Sequence, residues 1–261
     1  MQGIRTLTVV GGRDKSGAPE NVRLELAAGS ITAIVGPTGS GKSRLLADIE
    51  WMAQDDTPTG RTVLVNGERP DASARFSLRD KPVAQLSQNM NFVMDATVSE
   101  FLRLHAECRL SEITNYELRI TGLTDEIIAQ ANRLAGETFT ADTPLTALSG
   151  GQSRALMIAD TALLSRSPVV LIDEIENAGI DRHRALSLLV RNEKIVLIAT
   201  HDPLLALMAQ QRLIICNGAI CRVIQTSEAE KKALEELEKT DLRMQELRQR
   251  LRTGQVIAVN D

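Results

Sequence analysis

The segment Gly36-Pro37-Thr38-Gly39-Ser40-Gly41-Lys42-Ser43 joins three glycines to a lysine and a hydroxyl. That combination suits a ligand of concentrated negative charge. Glycines let backbone N–H groups approach an anion with no side chain in the way, and they accept φ values closed to other residues. A helix beginning at Lys42 would add the positive end of its dipole. In a loop of this pattern, Lys42 reaches the β- and γ-phosphates of a nucleotide and the Ser43 hydroxyl ligates Mg²⁺.

Two further segments carry chemistry. Val169-Val170-Leu171-Ile172 is an apolar strand that ends in Asp173-Glu174. In open α/β sheets, ligand chemistry collects at the carboxyl ends of strands. Adjacent strand residues point to opposite sides, so the two acids are expected to have different tasks. Asp173 suits the shell of Mg²⁺ through water, because Mg²⁺ keeps several of its waters. Leu148-Ser149-Gly150-Gly151-Gln152 offers a hydroxyl, two glycines and the start of a helical pattern. A helix over about 152–165 would aim its positive end at a phosphate.

The elements that must position these groups are readable from periodicity. Residues 4–10 and 21–27 read as short strands separated by a turn-rich stretch. Ser30–Val35 is a β-branched run that ends at Gly36, and Ser43–Gln54 reads as a helix with Leu45, Leu46, Ile49 and Met52 on one face. Val63–Gly67 is a strand entering a turn. The stretch from Thr97 to Leu148 is helical, with expected breaks at Gly122 and near Thr143-Pro144. Thr97 and Glu100 have capping-box spacing at its start. Three apolar runs, Val169–Ile172, Ile195–Thr200 and Leu213–Cys216, are the kind of strand that a parallel sheet buries on both faces.

Taken together, these motifs resemble the nucleotide-binding domain of the ATP-binding cassette (ABC) family over residues 4–224. The resemblance implies an α/β fold: a P-loop NTPase core with a mixed, mostly parallel sheet, an N-terminal antiparallel β subdomain and an inserted helical subdomain at about 89–150. Residues 225–261 would form a C-terminal helical extension. It implies ATP and Mg²⁺ as ligands, with Gly36, Pro37, Thr38, Gly39, Ser40, Gly41, Lys42 and Ser43 around the phosphates. It casts Glu174 as the residue that polarises the attacking water, His201 as the switch histidine at the γ-phosphate and Gln88 as the glutamine that touches Mg²⁺. Ser43, Gln88 and Asp173 form the Mg²⁺ set. Ser149, Gly150, Gly151 and Gln152 are expected to serve the ATP of an opposite protomer, joined by Asp181 from the loop after the acids. The family's adenine-stacking aromatic is missing from Thr8–Arg13, where Arg13 offers a guanidinium plane instead.

The resemblance further implies a head-to-tail pair, either a homodimer or a pseudo-symmetric dimer with a related cassette. The pair would drive a separate transmembrane permease or, in the alternative reading, remodel a soluble protein complex. Bulk properties are compatible. Net charge is −4, so no positive field points to nucleic acid. No run approaches the roughly 20 apolar residues of a membrane span, and the first residues lack a secretory pattern. A cytoplasmic protein, held at the membrane only through a partner, is expected. Cys108, Cys216 and Cys221 lack zinc-site spacing and are expected to be reduced, buried thiols. The tail from Ser227 to Arg252 carries Ala233, Leu237, Thr240, Met244, Leu247 and Leu251 in a heptad-like stripe, with Ser227 and Glu230 spaced as a capping box.

Overall fold

The computed structural model describes residues 4–76, 81–87, 91–110, 116–174 and 179–257. Strands β1 (Thr6–Val10), β2 (Arg23–Ala27) and β4 (Thr62–Val65) form an antiparallel sheet in the order β2-β1-β4. A second sheet has the order β5-β6-β7-β3-β8-β9, built from β3 (Ile31–Val35), β5 (Val83–Leu86), β6 (Val169–Asp173), β7 (Ile195–Ala199), β8 (Gln211–Cys216) and β9 (Ala219–Gln225). Its strands pair in parallel except β8 with β9. The mixed, mostly parallel sheet that the resemblance implies is therefore present, with the three apolar runs among its parallel strands.

Alternation along the strands divides the interior in two. Val170, Ile172, Val196 and Ile198 face one cluster, with Leu102 of α3 (Val98–Leu110), Ile127 of α4 (Tyr116–Leu134), Leu156 of α5 (Gly150–Leu163) and Leu186 of α6 (Arg182–Arg191). Val169, Leu171, Ile195 and Leu197 face the other, with Leu45 and Ile49 of α1 (Lys42–Glu50) and Leu7 and Val9 of β1. Burial on both faces explains why these strands read as continuous apolar runs. Three more α-helices are α2 (Ala72–Arg75), α7 (Pro203–Met208) and α8 (Glu228–Arg252), and a 3-10 turn spans Leu145–Ala147.

Several expectations change. Gly122 does not break a helix; α4 runs through it. A mid-helix glycine costs about 1 kcal/mol relative to alanine, and burial of Ile127, Ala131 and Leu134 against the core offsets that. The expected break near Thr143-Pro144 is present but wider: α4 stops at Leu134 and only the 3-10 turn at Leu145–Ala147 follows, while Pro144 bridges Thr97. Cys216 and Cys221 are neither buried nor reduced: they form a disulfide across the β8–β9 turn, with Cα atoms 5.9 Å apart. Cys108 is free and exposed. No helix among the described residues is long and apolar enough to cross a membrane.

Only part of the heptad-like stripe docks: of its six members, Leu237 and Leu247 are half-buried. Ala233, Thr240, Met244 and Leu251 are exposed, while Leu234, Leu237, Glu238 and Asp241 are half-buried. Acids join the leucines on the docked face: Glu230 pairs with Arg212, Glu238 with His183 and Asp241 with Arg182. The cap read from sequence is present, since Ser227 N–H donates to Glu230 Oε2 at 2.9 Å and Glu230 N–H to Ser227 Oγ at 3.3 Å. The Arg212 guanidinium, then the Ser227 N–H, hold the Glu230 carboxyl down to about 2, from an ordinary 4.5. A carboxyl depressed on folding stabilises fully above its unfolded value and loses that contribution as pH falls through the folded one. The stability advantage of the native chain over Glu230→Gln is therefore expected to shrink as pH drops from 4.5 toward 2, measured by urea unfolding.

One buried charge cluster ties the two sheets together. Arg61, fully buried, donates to both oxygens of Glu20 at 2.7 and 3.0 Å, to Asp48 of α1 at 2.8 Å and to the Gly218 carbonyl at 2.7 Å. Removing one partner of such a group leaves charge uncompensated in the interior. Glu20→Ala is expected to cost about 3–5 kcal/mol in urea-measured stability; a cost below about 1 kcal/mol would show that water replaces the carboxylate.

Candidate functional site

The parallel register brings three loops to one edge of the sheet. Ile34 of β3 pairs with Ala199 of β7, and Ala199 pairs with Asp173 of β6. The segments after these residues, 36–43, 200–202 and the one opening at Glu174, therefore lie side by side at the strands' carboxyl ends.

The glycine loop runs from β3 into α1. Gly39 and Gly41 have φ of 76° and 115°. A side chain on Gly41 would meet the Gly218 backbone at 2.7 Å. The loop is buttressed from behind, where Gly218 N–H donates to the Ser40 carbonyl at 2.6 Å. Arg61 holds Gly218 from its other side, so the buried cluster sets the position of the loop. Helix α1 has no side-chain cap at Gly41 and no acidic residue in its first turn, which leaves its amino end to an anion. Lys42 Nζ folds onto the carbonyls of Gly36 and Pro37 at 2.7 and 3.2 Å. Ser43 is exposed, and the buried Ser40 hydroxyl has no hydrogen-bond partner. These features fit a phosphate chain carrying Mg²⁺: an uncapped helix amino end, an ammonium held only by loop carbonyls, an exposed hydroxyl and an orphan buried one.

Glu174 lies just past the end of β6, so strand alternation does not govern it. It has φ of 51°, a left-handed conformation unusual outside glycine, and its N–H donates to the Ala199 carbonyl at 3.1 Å. Backbone strain of this kind clusters at functional sites. Its carboxylate stands 4.0 Å from His201 Nε2, both groups partly exposed. Asp173 closes β6 and is half-buried. Gln88 lies outside the described residues, directly beyond the β5–Ser87 segment.

Ser149 and Gln152 cap α5 reciprocally. Gln152 N–H donates to Ser149 Oγ at 3.3 Å, and Ser149 N–H donates to Gln152 Oε1 at 2.8 Å. The S-x-x-Q spacing of these residues is the sequence signature of such a capping box. Gly150 is exposed, and a Cβ there would touch nothing within 4 Å, so the amino end of α5 is open. Gly151 lies beside Gly179. Asp181 caps α6, accepting from Arg184 N–H at 3.0 Å. Arg13 is exposed; its N–H donates to Thr59, and its guanidinium lies against Gly60. Lys15, not singled out from sequence, reaches the loop itself, donating to the Gly39 carbonyl at 2.6 Å.

The sequence profile described as ABC transporter matches residues 19–177. An uncharacterised ABC transporter ATP-binding protein of Methanocaldococcus jannaschii is 48% identical over 259 residues, covering 99% of this chain and 97% of the relative. Among solved structures, cbiO1 of Clostridium perfringens, described as part of the ABC transporter complex cbiONQ, superposes with a TM-score of 0.66 at 22% identity, over 92% of this chain and 96% of that one. The ATP-binding cassette MJ0796, solved as a dimer in a post-hydrolysis state with ADP and Pi, superposes with a TM-score of 0.63 at 22% identity, over 85% and 99% of the two chains. Fold, motif order and these likenesses agree: the chain belongs to the ABC transporter family of ATP-binding proteins.

Proposed function

We propose that this chain hydrolyses ATP to ADP and phosphate at a head-to-tail interface between two cassettes, and that closing and opening of the pair drive a membrane permease. The observation that carries the reading is the convergence of Lys42, the strained Glu174 and His201 on one sheet edge, with Glu174 and His201 4.0 Å apart. Lys42 would exchange its two loop carbonyls for the β- and γ-phosphates. Glu174 would take a proton from the attacking water, and His201 would hold the γ-phosphate. Arg13 and Lys15 supply cations at the nucleotide's edge. Ser43, Asp173 and Gln88 would hold Mg²⁺, which neutralises charge developing on the phosphate oxygens. β7 lies between β6 and β3, and two strand spacings amount to about 10 Å, which favours Asp173 acting through water. Ser149, Gly150, Gly151, Gln152 and Asp181 would complete the ATP site of the second copy.

Residues 1–224 form the ATPase unit in this reading, and 225–261 an extension docked on it. The work is positioning and charge neutralisation. The transport role draws on the relatives, described as ATP-binding proteins of ABC transporters. It places the protein in the cytoplasm, at the membrane through its permease. The second reading, a soluble ATPase that remodels a protein complex, is favoured by α8 and by the absence of an aromatic in Thr8–Arg13. Affinity capture of the full chain separates the two. A polytopic membrane protein as the bound partner supports transport, and a soluble assembly overturns it.

A further inference from the structure

Helix α8 is tied to the catalytic edge by charges that the ATPase reading does not use. Arg182 follows Asp181 and opens α6. One of its guanidinium nitrogens donates to Asp202, and the other donates to Asp241 of α8 at 2.8 Å. Asp202 follows His201, and its two oxygens have separate tasks. Oδ1 accepts from Leu204 N–H at 2.8 Å and caps α7, while Oδ2 accepts from Arg182. Asp202 N–H in turn donates to Thr200 Oγ1 at 2.9 Å. All three charged side chains are largely shielded, with 15–23% of each exposed.

The same helix grips the other side of this region. Arg212 of β8 pairs with Glu230, and Arg212, Asp202, His201, Pro37 and Gly36 all border one cavity of about 440 Å³ beside the phosphate loop. Two walls of that cavity are thus fastened to α8, one through Arg182 and one directly.

We infer that Arg182 is a positioning residue: held by Asp241 of α8, it fixes Asp202 and thereby the angle at which His201 meets the nucleotide, while anchoring the segment that carries Asp181. The inference rests on the ATPase reading. It assigns α8 a part in turnover without any contact with ATP. A misplacement of about 1 Å at a reacting group can cost on the order of 100-fold in rate, so a loosened tether reads out in kcat and not in nucleotide affinity.

The test compares the full native chain with Arg182→Gln, Arg182→Lys, Asp241→Asn and Glu236→Gln in steady-state ATP hydrolysis and in equilibrium ATP binding. Arg182→Gln and Asp241→Asn are each expected to lower kcat about 10-fold with KM and ATP affinity within about twofold. Their combination should be no worse than either alone, and Arg182→Lys should recover part of the rate. Glu236→Gln breaks only an exposed pair with Lys239 on the outer face of α8 and should be silent. Circular dichroism confirms that the helix persists. Native kcat in both Arg182→Gln and Asp241→Asn overturns the inference, as does an equal loss in Glu236→Gln, which would signal helix stability alone. Either result leaves the ATPase reading intact so long as Glu174→Gln on the same chain lowers turnover by about 100-fold or more. If Glu174→Gln also turns over normally, the ATPase reading falls and the inference with it.

Discussion

Glu174→Gln is expected to lower ATP turnover by about 10²–10⁴-fold, the range for loss of a positioned general base, while leaving ATP binding in place. Glutamine keeps the size and one acceptor oxygen of glutamate but cannot take a proton. The backbone at Glu174, with its φ of 51° and its bond to the Ala199 carbonyl, does not depend on the carboxylate, so the variant should fold as the native chain does. Bound ATP would then persist, and the closed pair with it. Phosphate release at saturating ATP, alongside retained nucleotide after rapid gel filtration, reads both quantities. A variant that turns over ATP at the native rate would remove Glu174 from the reaction.

Lys42→Ala is expected to weaken ATP binding by about 10–100-fold. A hydrogen bond to a charged group is worth about 1.5–3 kcal/mol, and each 1.4 kcal/mol is tenfold in affinity. The truncation also leaves the Gly36 and Pro37 carbonyls without the ammonium that now caps them, so the empty loop is loosened as well. Calorimetric titration with ATP and Mg²⁺ measures the effect. An unchanged dissociation constant would mean that backbone N–H groups and α1 carry the phosphates unaided.

What could be read from residues alone follows a physical line. Glycine-rich turns, paired acids and a Ser-Gly-Gly run are rare enough that Gly36–Ser43, Asp173-Glu174 and Leu148–Gln152 stand out, and the strands β3 and β6 feeding the first two read as doubly covered because they are. Edge strands lack that signal. β5 and β9 have only one neighbour each and mixed burial, and neither was legible. Gly122 misled because propensity was weighed without the core that α4 covers. The α8 stripe misled in part, for a related reason: Arg182, His183 and Arg212 come from distant segments and draw acids onto the docked face beside the leucines. The Cys216–Cys221 bridge is set by hairpin register, which spacing does not reveal.

Some residues carry two roles at once. Ser149 and Gln152 are at once the cap of α5 and the groups proposed to meet a partner's nucleotide. Asp181 caps α6 and lies in the segment proposed to cross the interface. The cap of α5 engages only the Gln152 N–H, so a second copy's γ-phosphate would have to meet the remaining amino-end N–H groups, those of Gly150 and Gly151.

The most direct measurement is the solution mass of Glu174→Gln by multi-angle light scattering, with and without ATP and Mg²⁺, beside the same chain carrying Ser149→Arg. Nucleotide should convert the first from one chain to two, and the added arginine should block that conversion while ATP still binds. A chain that stays single at saturating ATP and high protein concentration, or a pair that forms regardless of the residue at 149, would contradict the composite site.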